Sequence, residues 1–120
     1  MNAIVRVSKS FKRQAKPLLK KFPSLYQELN HLKNKLEENP GLGTPIGQDS
    51  YKIRLAVKSK GKGKLGGLRA ISHLDTEIVG IVDGENENKV VILMSIYDKS
   101  KTASISNKEL RDLIAGLHLE

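Results

Sequence analysis

Seven basic side chains and no acidic one lie in YKIRLAVKSKGKGKLGGLRAISH, residues 51–73. Lys52 and Arg54 alternate with Tyr51, Ile53, Leu55 and Val57, as in a half-buried strand with a basic outer face. Lys58, Lys60, Lys62 and Lys64 then recur at every second position, and Arg69 opens the next apolar stretch. A phosphodiester backbone suits this set. Metal-free RNA cleavage needs the ribose 2′-hydroxyl deprotonated, the phosphorane stabilised and the 5′-oxygen protonated. Arginine and lysine place charge where the phosphorane develops it, arginine bidentately. Crowded cations lower each other's pKa, so a lysine among them can share proton transfer. Tyr97, ending the apolar run VVILMSIY, is placed to donate a proton or hold the scissile phosphate, and Lys99 follows it. The lysine–glycine run itself reads as an RNA anchor or a solvated loop. Asp98 is a possible carboxylate partner for Arg69. His73 shares a strand face with Arg69 and reads first as a hydrogen-bonded structural histidine. His31, on the polar side of a helix, and His118, in the tail, read as inert.

These residues need a scaffold. AIVRV (3–7) predicts a first strand. Ser8 or Ser10 caps a helix with Phe11, Ala15, Leu18, Leu19 and Phe22 on one face, and Pro17 predicts a kink or a late start. Ser24 with Gln27 has the form of a capping box. Leu25, Leu29, Leu32 and Leu36 predict a second amphipathic helix, stopped by NPG. Residues 41–50 read as loop, 51–57 as strand and 58–67 as a mobile connector. LRAISHL starts a further strand, continued by residues 77–84 after a bulge or turn near Asp75. GENEN (84–88) reads as a hairpin turn. VVILMSIY (90–97) is apolar enough for a central strand covered on both faces. Ser106 and Glu109 form another capping box, before a helix facing inward with Leu110, Leu113, Ile114 and Leu117. The order β-α-α-β-β-β-α predicts an α+β fold: a small, mostly antiparallel sheet with an N-terminal helical hairpin packed on it.

Composition bounds the rest. A chain of 120 residues suits one domain, 1–120. The net charge of +8 favours a polyanionic partner. Tryptophan is absent and aromatics are 4% of residues, which disfavours a base-stacking platform. With no cysteine there is no disulfide or thiolate chemistry. The histidines lack metal-ligand spacing and no GxxxxGK[ST] loop occurs, so neither metal nor cofactor is expected. The longest apolar run, Val90 to Met94, falls far short of the roughly 20 residues that span a membrane. No signal-peptide-length apolar segment begins the chain. No membrane partner and a cytoplasmic location are therefore expected.

YKIR, KSKGKGKLGGLRAI and VVILMSIYDKSK, followed by a capped helix, together resemble the RelE/ParE superfamily of bacterial toxins. The likeness is greatest to the HigB/RelE branch and extends to FKRQAKPLLKKFPSL and NPGLGTPIG. It implies a small sheet backed by two N-terminal helices. It also implies a type II toxin–antitoxin toxin: a metal-independent endoribonuclease, or mRNA interferase, that cuts mRNA in the ribosomal A site and inhibits translation. Its partners would be that mRNA, ribosomal RNA and a cognate acidic antitoxin. By the resemblance Lys52 and Arg54 take basic catalytic roles, Arg69 binds the phosphate, and Lys99 matches the lysine after the last strand. Two departures stand out. Ser100 replaces an arginine that RelE has there, and the last helix lacks RelE's tyrosine, leaving Tyr97 as the nearby substitute. A ParE-like gyrase-binding toxin and a catalytically degenerate protein of the same fold are the alternatives.

Overall fold

Hydroxyl caps, leucine spacing and β-branched runs set the local structure. The computed structural model describes residues 3–60, 67–78, 87–101 and 104–119. Strand β1 (Ile4–Val7) leads into α1 (Lys9–Lys21). Ser8 is the N-cap: its Oγ accepts from the Phe11 N–H at 3.0 Å and donates to the Met94 carbonyl at 3.2 Å. One serine thus starts the helix and ties it to the sheet. The helix begins at Lys9 and runs through Pro17, so the late start expected there does not occur. Lys20 and Lys21 in its last turn suit the negative end of the helix dipole.

Helix α2 (Leu25–Glu38) buries Leu25, Leu32 and Leu36. Its expected capping box does not form, because Ser24 makes no side-chain cap bond. The Ser24 hydroxyl instead meets Ser59 Oγ at 2.8 Å and Glu28 Oε1 at 3.1 Å. The expected loop 41–50 contains strand β2 (Thr44–Gly47), antiparallel to the start of β3 (Ser50–Leu55). Gln48 and Asp49 join them with φ of 54° each, the left-handed pair of a tight hairpin turn.

A short 3₁₀ turn, Lys58–Lys60, opens the segment expected to be a mobile connector. Its start is fastened. Lys58 N–H donates to Glu28 Oε2 at 2.7 Å, and Ser59 N–H donates to Ser24 Oγ at 3.0 Å. Residues 61–66 of that connector lie outside the described residues.

Strand β4 (Leu68–Ile78) pairs with β5 (Glu87–Asp98). Asp75 sits in unbroken register with Val90, so the break expected near Asp75 is absent. Glu87 and Asn88 belong to β5, shortening the expected turn, and residues 79–86 lie outside the described residues. The bulge comes earlier: Ile71 pairs Ser95 while Ser72 pairs Leu93, which leaves Met94 as the extra residue.

The sheet order is β1-β5-β4-β3-β2, with β1 parallel to β5 and the other three pairings antiparallel. One face packs Ile53, Leu55, Leu68, Ala70, Val91, Leu93 and Ile96 against Phe11, Ala15, Phe22, Leu25, Leu32 and Leu36 of the first two helices. The other face packs Ile71 and Met94 under Leu110 of α3 (Asn107–Leu117). The Met94 bulge shifts the strand's phase, so Val91, Leu93 and, past the bulge, Ile96 all face the helical pair. The capping box of α3 forms as expected, with Glu109 N–H donating to Ser106 Oγ at 3.1 Å. Among the described residues the fold is α+β, with three α-helices around a five-stranded mixed sheet.

Candidate nucleic-acid interface

Strand pairing assembles the basic residues. Arg54 stands opposite Arg69, and Arg69 opposite Tyr97. Side chains directly across a sheet share a face, so β3, β4 and β5 each contribute one member to a single row. With about 5 Å between paired Cα atoms, the row spans roughly 10 Å. Lys52 is two residues from Arg54, and so on the same face, about 7 Å along the strand. Ile53, Leu55 and Ala70 take the opposite face and enter the core. That alternation anchors the strands through one face and leaves Lys52, Arg54 and Arg69 on the other.

Exposure sorts the row. Arg54 is exposed and Lys52 half-buried. Arg69 is only 2% exposed, and its Nη1 donates to the Leu68 carbonyl at 3.1 Å. Access from solvent is therefore greatest at Arg54, less at Lys52 and least at Arg69. Tyr97 is half-buried and packs on the α3 side. Burial raises its pKa above 10.0, the positive charge of Arg69 lowers it and the negative charge of Glu109 raises it, with a net upward shift. At neutral pH Tyr97 is a phenol, able to donate a hydrogen bond or a proton.

Lys99 is exposed, in the turn just past β5. Asp98 is buried and in register with Leu68. Its Oδ1 accepts from the Ser100 N–H at 3.0 Å and the Ser100 hydroxyl at 2.7 Å, so Asp98 and Ser100 shape the turn that carries Lys99. Lys58 is exposed in the fastened 3₁₀ turn. Lys60 ends that turn, and Lys62 and Lys64 lie outside the described residues. His73 Nδ1 lies 3.2 Å from Ser50 Oγ. Ser50 Oγ also donates to the Gln48 carbonyl at 3.1 Å. This is a structural role beside the β2–β3 turn.

A groove of about 410 Å³ runs beside β3, where β2 no longer covers its edge. Lys52 and Arg54 line it together with Glu28, His31 and Lys35 of α2. His31 is thus beside the basic strand, a placement its sequence position on a polar helix face did not suggest. The readable signal was the spacing of Glu28, His31 and Lys35, which puts them on one side of the helix. Which strand that side would meet was not readable. Among the described residues, no group of three or more His, Asp or Glu side chains is placed to hold a metal, and no helix is long and apolar enough to cross a membrane. No protein-family model matches the chain, and no curated protein matches it significantly.

Proposed function

We propose that this protein is the toxin of a type II toxin–antitoxin pair, a metal-independent endoribonuclease that cuts mRNA on the ribosome. The observation that carries this reading is the cross-strand row Arg54–Arg69–Tyr97, flanked by Lys52. In this mechanism Arg54 and Lys52 meet the non-bridging oxygens of the scissile phosphate. Arg69 adds positive charge from below, in an environment where water screens it less. Together they stabilise the phosphorane formed as the ribose 2′-oxygen attacks and its proton passes to a lysine of the cluster. Tyr97, held as a phenol, protonates the departing 5′-oxygen. The products are a 2′,3′-cyclic phosphate and a 5′-hydroxyl. The ribosome would orient the mRNA and so lower the entropic cost of in-line attack. An acidic antitoxin would neutralise the protein by covering the exposed cations, its approach accelerated by the +8 charge.

The burial of Arg69 favours a second reading, a protein of similar fold that binds without cutting, such as a gyrase-binding toxin or a degenerate relative. Induction in bacteria with mapping of mRNA 5′ ends separates the two. Codon-phased cuts that disappear in Arg54→Ala are the expected result. Growth arrest with intact mRNA and DNA damage indicates gyrase, and normal growth a degenerate protein.

A further inference from the structure

The cations of α1 have no part in the site described above. The helix KSFKRQAKPLLKK carries Lys9, Lys12, Arg13, Lys16, Lys20 and Lys21 and no acidic residue. All six are exposed. At 3.6 residues per turn, Lys9, Lys12, Arg13, Lys16 and Lys20 fall within an arc of roughly 100°, opposite buried Phe11 and Ala15. From Lys9 to Lys20 the stripe is roughly 16 Å long at 1.5 Å per residue. The helix packs on the sheet face of Ile53, Ala70 and Ile96, whereas Arg54, Arg69 and Tyr97 point from the other face. The two basic surfaces are on opposite sides of the sheet.

We infer that the outer stripe of α1 is a second nucleic-acid contact, made to the phosphate backbone of a double-helical RNA segment. The inference rests on the proposed function only for the nucleic acid being RNA. Double-stranded DNA carries about one charge per 1.7 Å of axis counting both strands, and A-form RNA is more compact along its axis, so a rigid stripe of this length runs beside several phosphates. Other polyanions fit less well. An interfacial membrane helix inserts its apolar face, but that face of α1 is in the core. Protein interfaces centre on buried apolar or aromatic anchors, and none lies among the five cations. Single strands are held largely by stacking on aromatic side chains, also absent from the stripe. Cations that meet the phosphate backbone carry no sequence information, which predicts binding without sequence preference.

The test uses the full chain with two fluorescent probes, a 20-base-pair RNA duplex and a single strand, titrated across about 50–300 mM KCl. The triple variant Lys12→Gln, Lys16→Gln, Lys20→Gln keeps good helix formers on exposed positions, and its thermal midpoint should match the parent. Its duplex affinity should fall tenfold or more at 100 mM KCl, and the log–log salt slope should shrink by about 3, one per lysine removed. Single-strand affinity should stay within twofold, whereas Arg54→Gln should weaken the single strand and spare the duplex. Unchanged duplex binding by the triple variant, or equal loss on both probes, would overturn the inference. So would a polyglutamate chain that displaces the duplex at equal charge concentration. Absence of mRNA cutting by the parent chain, with its duplex binding intact, would count against the nuclease reading alone.

Discussion

Burial opposes a phenolate at Tyr97 more strongly than the Arg69 guanidinium favours one, and the Glu109 carboxylate adds to the burial effect. The consequence for folding has a definite sign. The native state holds the Tyr97 proton more tightly than the unfolded chain, whose tyrosines titrate near 10. The neutral-phenol advantage is complete below that pH and is lost as pH rises toward the higher folded value. Tyr97→Phe should therefore flatten the fall in stability above pH 10 and leave the curve between pH 6 and 9 parallel to the parent's, as urea titrations at each pH would show. The same variant should lose cutting if the phenol is the proton donor. Period-2 alternation in the sequence puts Lys52 and Arg54 on the strand face opposite Ile53 and Leu55, whereas Arg69 was legible only as the opening of the next strand and Tyr97 only as the end of an apolar run. The burial of Arg69 was not legible. Its strand faces α3, whose residues come some 40 positions later, and no local pattern reports that packing.

At the scale of elements, helices with strong caps and leucine spacing were readable, as Ser8, Ser106 and the Leu25–Leu36 series illustrate. The misreadings have physical causes. TPIG looks like loop because proline cannot donate to a sheet ladder, yet on an edge strand that costs little, and Ile46 packs against the cluster that holds Ile71, Met94 and Leu110. Ser24 has the residue type of a cap, but its hydroxyl is drawn to Ser59 and Glu28, which fasten the start of the lysine segment. The Met94 bulge is invisible to a uniformly apolar run, since either phase keeps hydrophobic side chains inside. Gly43 positions β3 through close backbone approach. It has φ of +109°, and a Cβ there would come 2.6 Å from the Lys52 carbonyl oxygen. Gly43→Ala should destabilise the fold by about 1–3 kcal/mol, measured by urea unfolding, and should weaken RNA binding through displacement of Lys52.

On the scale of the whole molecule, one sheet separates two basic surfaces, and the core on each side of it fixes their relative placement. The +8 charge was legible from composition, but its division between a strand face and a helix stripe required the packing of α1, β3, β4 and β5 to be seen. In the proposed function the strand face breaks a phosphodiester bond rather than only holding it. End-group analysis of mRNA incubated with ribosomes and purified protein in the presence of EDTA tests this most directly. The account predicts new 2′,3′-cyclic phosphate and 5′-hydroxyl ends with the parent chain and their loss in Arg54→Ala, an exposed position where folding should be spared. Intact mRNA with the parent chain, or cuts that persist at full rate in Arg54→Ala, would contradict it.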